Sequence, residues 1–344
     1  MIRFIYHFFK RRIKLKNLLI TFFIFGLIYF VSFYKRPIED FKFFDRTHTT
    51  YIKGFAILLV ILSHMGGRFG IRYLTPLGGT GVAMFLVCTG YGLSESYKGK
   101  GLTNYWQNKI SKVWFPYFLI QSIAALFLSY SFFDYIKDVL LLEYNHPFGW
   151  YMQFLFMWYI VFYVINKINF LSPQCKYILF GLISLLIIFL PNQLWAEQAF
   201  SLFGGMVLSY KKDTLKIKDN RFVPFILLSI GVFLLATKQI DVVRNLPWLL
   251  SNINQLLIKL PLAIGLCLTV FQFQALFKNN MFKYIGKLSF PLYLIHAYTI
   301  DILENPTFLN ILIFLTATFA LSLLFNKTLK ICYSINPSIV KAPI

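Results

Sequence analysis

The sequence predicts an all-α protein: a polytopic helical bundle embedded in a membrane. Three observations carry that prediction. Hydrophobic residues make up 58% of the 344 and charged residues only 14%, where water-soluble domains run nearer half and a quarter. Mean hydropathy is +0.64, which in water would leave far too much apolar surface exposed. Finally, apolar runs near the roughly 20 residues needed to cross a hydrocarbon core of about 30 Å recur along the whole chain. A β-barrel would show strict alternation over segments of about 10 residues. Segments such as Leu179–Leu190 are apolar on every side, which requires a helix.

Taken in order, eleven runs emerge: Leu18–Tyr34, Thr49–Gly67, Gly78–Ser96, Phe115–Phe133, Phe148–Ile165, Tyr177–Pro191, Leu194–Tyr210, Phe222–Thr237, Leu249–Phe277, Leu288–Leu303 and Phe308–Phe325. The expected architecture is about ten core transmembrane helices plus one extra N-terminal hydrophobic segment. Leu249–Phe277 is long and contains Pro261, so a kink or a re-entrant entry is expected there. No repeat or low-complexity linker divides the chain. Residues 1–48 read as a basic N-terminal region, 49–330 as one membrane domain and 331–344 as a short tail.

The net charge of +21 is compatible with nucleic-acid binding, but its distribution points elsewhere. With the loop after the third run placed in the cytoplasm, seventeen basic residues of the last ten runs fall inside and five (Arg68, Arg72, Lys137, Lys238, Arg244) outside. That is the positive-inside pattern, with a cytoplasmic C-terminus and no nucleic-acid partner. The first run has basic clusters on both flanks and stays unassigned between a span, a shallow hairpin and an interfacial helix. Val31-Ser-Phe-Tyr lacks a small-x-small cleavage site, which argues against a cleaved signal peptide. The four cysteines show no pairing or metal spacing and read as small hydrophobes; no metal is expected.

Ionisable residues inside apolar runs are costly and therefore mark candidate sites. Lys53 opens, and His64 closes, one apolar stretch. Their eleven-residue separation is about 16 Å of helical rise, near three turns, so they share one face at different depths. A two-ended site is one reading. The other has Lys53 snorkelling to lipid phosphates and His64 capping the helix near the interface.

The residues around this pair extend in a known order. Lys53 to His64 resembles the basic-x10-His signature of the membrane acyltransferase 3 family. Gly81-Val-Ala-Met-Phe-Leu-Val-Cys-Thr-Gly-Tyr-Gly-Leu93 resembles that family's Gly-Val-x-x-Phe-Phe-x-x-Ser-Gly-Tyr-x-Leu segment, and Tyr105–Tyr117 its basic segment before Pro-x-Tyr. Trp150-Tyr151 is similar to its aromatic pair, and Ile285–His296 to its Gly-x-Ser-x-x-x-Tyr-Leu-x-His motif. The resemblance covers Thr49 to Phe325. It departs from the family where Lys53, Lys109 and Lys112 stand in place of arginine, keeping charge but losing bidentate phosphate recognition, and where Thr89 replaces serine.

The resemblance implies transfer of an acyl group, usually acetyl, from cytoplasmic acyl-CoA to a hydroxyl of a saccharide or glycolipid, in surface polysaccharide modification at a bacterial cytoplasmic membrane. Under it, His64 is the general base, assisted by His296. Lys53, Lys109 and Lys112 bind the CoA phosphates, and Trp150, Tyr151 and Tyr293 contact the acceptor. Each has a plainer reading: lysines anchoring to lipid headgroups, His296 and Tyr293 as interfacial hydrogen-bonders, Trp150 and Tyr151 as an aromatic belt. Asp301 and Glu304 either bind acceptor hydroxyls or cap a turn. A transporter or flippase of lipid-linked saccharides is the alternative class, and predicts inverted repeats with matched helix breaks.

Overall fold

The computed structural model describes residues 42–71, 74–212, 214, 220, 222–304 and 307–335. The N-terminal hydrophobic segment, the basic region before residue 42 and the end of the tail lie outside the described residues. Among those described, the chain forms helices and no strands. They are α1 (Arg46–Arg68), α2 (Thr75–Lys100), α3 (Tyr105–Leu128), α4 (Phe132–Val139), α5 (Trp150–Lys167), α6 (Pro173–Ile188), α7 (Gln193–Ala196), α8 (Ser201–Tyr210), α9 (Phe222–Thr237), α10 (Asp241–Arg244), α11 (Trp248–Gln272), α12 (Gln274–Phe277), α13 (Asn280–Lys287), α14 (Ser289–Thr299) with a 3-10 turn (Ile300–Leu303), and α15 (Phe308–Ile335).

The ten core runs all fall on helices, but those helices are unequal. Five of them (α1, α2, α3, α11 and α15) are long and apolar enough to cross a membrane, while α6 and α9 are shorter apolar helices. The run Leu194–Tyr210 divides into the short α7 and α8, because the chain turns between Glu197 and Phe200. The third helix begins at Tyr105, earlier than the apolar run suggests, and carries a π-helical turn at Ile110–Trp114. Pro116 lies two residues beyond that turn; it has no N–H to give to the preceding turn, and a widened turn absorbs the lost bond. Pro261 lies within a continuous α11, so no re-entrant break occurs there; inside a membrane bundle, neighbouring groups satisfy the freed carbonyl.

Helix starts follow local chemistry. Asp45 caps α1 by accepting from the His48 N–H at 2.6 Å, and Ser172 caps α6 ahead of Pro173. Such caps satisfy amides that a helix start leaves open. Buried His48 fixes the same region: its Nδ1 accepts from Phe44 N at 2.9 Å, and its Nε2 lies 3.2 Å from the Cys267 carbonyl of α11.

At the centre stands α2, buried around most of its circumference and packed on α1, α8 and α11. The periphery has the opposite character. Along α9 only Pro224 and Gly231 are buried, and most of α15 is exposed although it is strongly apolar. An apolar helix face turned outward suits lipid rather than water, so this is an integral membrane protein. Close contact between α1 and α13 depends on two glycines facing each other's helix: a Cβ at Gly54 would collide with the Phe282 carbonyl, and one at Gly286 with the Thr50 carbonyl.

Backbone atoms cannot move aside as a flexible side chain can, so Gly286→Ala should destabilise by about 1–3 kcal/mol. Gly92 has nothing within 4 Å of its would-be Cβ, and Gly92→Ala should be neutral or slightly stabilising. Thermal unfolding of the detergent-solubilised variants checks this. Equal stability of the two variants would contradict the packing described.

Candidate active site

His64 lies in the last turns of α1 and His296 in α14, and the two imidazoles meet with His64 Nδ1 2.9 Å from His296 Nε2. Their ring planes are within 3° of parallel with centroids 5.1 Å apart, the spacing of an in-plane hydrogen bond. The other nitrogen of His296, Nδ1, is 3.0 Å from the carbonyl of Leu292 one turn back. A carbonyl can only accept, so in the neutral pair Nδ1 of His296 carries its proton and its Nε2 is an acceptor. Nδ1 of His64 must then be the donor. What remains is His64 Nε2, with a lone pair and no hydrogen bond among the described residues.

Phe148 closes one side of this pair. Its ring stacks on His64 at 4.0 Å between centroids and also approaches His296. Tyr293, three residues before His296 and so on the same face of α14, donates its hydroxyl to the Phe148 carbonyl at 2.9 Å. Arg68 at the end of α1 pairs with Asp301 in the turn after α14, joining the two histidine-bearing elements; this pair is exposed and contributes little energy. Asp301 therefore has an ion partner in Arg68; the turn it is expected to cap, at Pro306, lies outside the described residues.

His64, Trp150 and Tyr293 line one cavity of about 960 Å³. Tyr151 does not: it is buried behind Tyr293, ring centroids 5.0 Å apart. Beside the cavity lies a buried ion pair between Lys259 of α11 and Glu197 after α7, the lysine stem resting on Gly79 where any Cβ would collide. Lys238 and Arg244 also line it. Lys238 lies just beyond α9, where burial holds its amine below the usual range; Lys259 and Arg244 act in the same direction and Glu197 opposes them.

Three lysines gather at the opposite end of α2. Lys100, Lys109 and Lys112 line a second pocket of about 310 Å³ with Tyr105 and Asn108. The Lys109 amine sits over the Tyr159 ring, 4.6 Å from its centroid, and 5.3 Å from that of Tyr105, a cation–π arrangement. Lys53 does not line this pocket but is close enough to Lys109 to interact electrostatically. From Gly78 in the first cavity to Lys100 in the second, α2 rises about 33 Å, comparable with a hydrocarbon core.

Sequence reasoning passed over Phe148, Lys100 and the Glu197–Lys259 pair. A signal for the last existed, since Lys259 is a cation in the middle of an apolar run. Phe148 had none. Among the described residues, no group of three or more His, Cys, Asp or Glu is arranged to hold a metal.

A membrane-embedded helical bundle with a hydrogen-bonded histidine pair, one member of which lines a large cavity, is thus the class that fold and site define. The chain belongs to the acyltransferase 3 family: the family model, described as an acyltransferase domain, matches residues 41–327. It is accordingly a membrane acyltransferase. No curated protein and no solved structure is significantly similar to the chain.

Hydrogen-bond direction in the histidine pair is measurable. In histidine-labelled protein, nitrogen NMR should find His64 as the Nδ1–H tautomer, and His296→Phe should release it from that form, since the partner bond selects the tautomer. Nε2–H as the main form of His64 in the parent protein would overturn the assignment.

Proposed function

We propose that this protein transfers an acetyl group from cytoplasmic acyl-CoA to a hydroxyl of a saccharide or glycolipid, with the outcome displayed on a bacterial surface. The observation that carries the reading is the unengaged Nε2 of His64 on a cavity of about 960 Å³, at the upper end of the range of small-molecule sites. His64 Nε2 takes the proton of the acceptor hydroxyl as its oxygen attacks the thioester carbonyl. The tetrahedral intermediate collapses by breaking the carbon–sulfur bond. The leaving thiolate recovers the proton from the His64 imidazolium, and the ester remains on the acceptor. His296 is a positioning residue here: it fixes the His64 tautomer and is itself held by the Leu292 carbonyl. Trp150 and Tyr293 offer the acceptor aromatic surface, and Tyr151 supports Tyr293 from behind.

Donor reach supports the same reading. A phosphopantetheine arm has 13 bonds from phosphorus to sulfur, about 15 Å when extended at backbone-like dimensions. Lys53 and His64 are separated by about 16 Å of helical rise. A phosphate held at Lys53 therefore brings a thioester to the depth of His64, while Lys100, Lys109 and Lys112 attract the remaining phosphates. With the lysine end cytoplasmic, as the loop charges favour, the C-terminus is cytoplasmic too. Family membership favours transfer over carriage, and the transporter reading gains no matching observation.

The base assignment is tested by transfer of labelled acetyl from acetyl-CoA to saccharide in isolated membranes. His64→Gln keeps volume but not basicity and should lose roughly 10²–10⁴-fold in rate with protein yield unchanged. Transfer at the parental rate would remove His64 from the mechanism.

Phosphate contact persists from ground state to transition state. Alanine at Lys53, Lys109 or Lys112 should therefore raise the KM for acetyl-CoA more than it lowers kcat, and Lys53→Arg should match or improve on the parent. An unchanged KM in the triple alanine variant would return these lysines to lipid anchoring.

A further inference from the structure

The cavity at His64 carries more positive charge than a hydroxyl acceptor requires. Only five basic residues of the last ten runs fall on the charge-poor side of the predicted topology, and three of them (Arg68, Lys238 and Arg244) line this one cavity. Arg68 has Asp301 and the additional cation Lys259 has Glu197. Lys238 and Arg244 have no carboxylate within ion-pair distance among the described residues; Arg244 reaches only the amide oxygen of Gln239, at 3.3 Å. Lys238 is half-buried and Arg244 exposed; Glu197, already paired with Lys259, acts on Lys238 only from beyond ion-pair distance, and both cations border the same space as the base.

We propose that this cavity binds an anionic acceptor, a saccharide bearing a carboxylate or a phosphate ester, whose negative group is held by Lys238 and Arg244 while its hydroxyl meets His64. The hydroxyl half of this statement rests on the acyl-transfer reading; the anion half does not. Gln193, Gln239 and Gln255 also line the cavity and supply uncharged donors and acceptors for sugar hydroxyls. The donor's phosphates have their own lysines about 33 Å away along α2, so the charge here is left for the acceptor.

Lys259 is unsuited to testing this, because its removal strands a buried carboxylate. The informative variants are Lys238→Gln with Arg244→Gln, and Lys238→Arg as the charge-preserving control. The full chain in phosphatidylcholine nanodiscs is titrated with glucuronic acid, glucose 1-phosphate and glucose. Both acids, or one of them, should bind at least about tenfold more tightly than glucose, as a charge-assisted contact requires. The double glutamine variant should lose that advantage and Lys238→Arg should retain it. Which acid binds better assigns the group as carboxylate or phosphate. No binding of either acid at millimolar concentration, equal binding of glucose, or an undiminished preference in the double variant would each overturn the proposal. So would loss of acid binding when phosphatidylglycerol is added, which would give the cations to lipid headgroups. Acid binding without acetyl transfer to the acid would leave the anion site standing and remove the acyl-transfer reading. Transfer to neutral saccharide with no preference for acid would do the reverse.

Discussion

The hydrogen bond between His64 and His296 is the interaction around which the rest of the site is arranged. Two imidazoles in an apolar bundle are useful only if their four nitrogens have defined roles, and the backbone defines them. The Leu292 carbonyl, one turn before His296, fixes one proton; the pair bond fixes the next; the remaining lone pair falls to His64 Nε2 by elimination. A helical carbonyl is a firm reference because it is already held by the ladder of α14. Tyr293 extends the control by holding the Phe148 carbonyl, and so the ring that stacks on His64. Three side chains of one helix face and one loop thereby reduce a mobile base to a single orientation. Preorganisation of that kind is what makes a catalytic group effective.

The same low dielectric accounts for how charge is distributed. An isolated ion in such an interior is far too costly to persist, and the deeply buried cation beside the cavity, Lys259, is matched by Glu197. Replacing such a pair with apolar residues often costs a protein nothing in stability. Its presence beside the cavity is therefore better explained by the polarity it lends that wall. At the other end of α2, Lys109 is offset by aromatic faces rather than by a carboxylate. No carboxylate is paired with that amine among the described residues.

How much was legible in the sequence differed by kind of feature. Apolar runs gave the helices, since the energetics of lipid act on segments of about 20 residues and leave an unmistakable composition. They did not give helix lengths: α3 continues through Lys109 and Lys112, and α7 and α8 share one run, because capping and turn chemistry decide ends and run composition does not report it. At the site, Lys53 and His64 were readable as a pair because both lie on one helix with a fixed rise. His296 was readable as a motif residue, but its contact with His64 spans 232 positions, and no local pattern encodes that. Tyr151 shows the reverse failure: it lies next to Trp150 in the chain, yet neighbours on a helix point about 100° apart, and only Trp150 reaches the cavity.

Placement of the base along α1 has a further consequence for how two substrates meet. His64 is about 16 Å from Lys53 along the helix, well short of the full span of α2. The cavity at His64 includes Gly78 and Gly79 near the start of α2, at the end of that helix opposite the lysine pocket. On the proposed reading, a donor reaching in from the lysine end and an acceptor entering from the cavity end would converge at His64, and neither substrate as a whole would have to cross the membrane. On that reading the acyl group alone would make the passage, carried on the extended arm of its donor. A base at the lysine end would require the acceptor to be drawn through the packed centre of α2, and a base at the outermost turn would lie beyond the donor's reach. The eleven-residue interval between Lys53 and His64 thus matches the reach of the proposed donor.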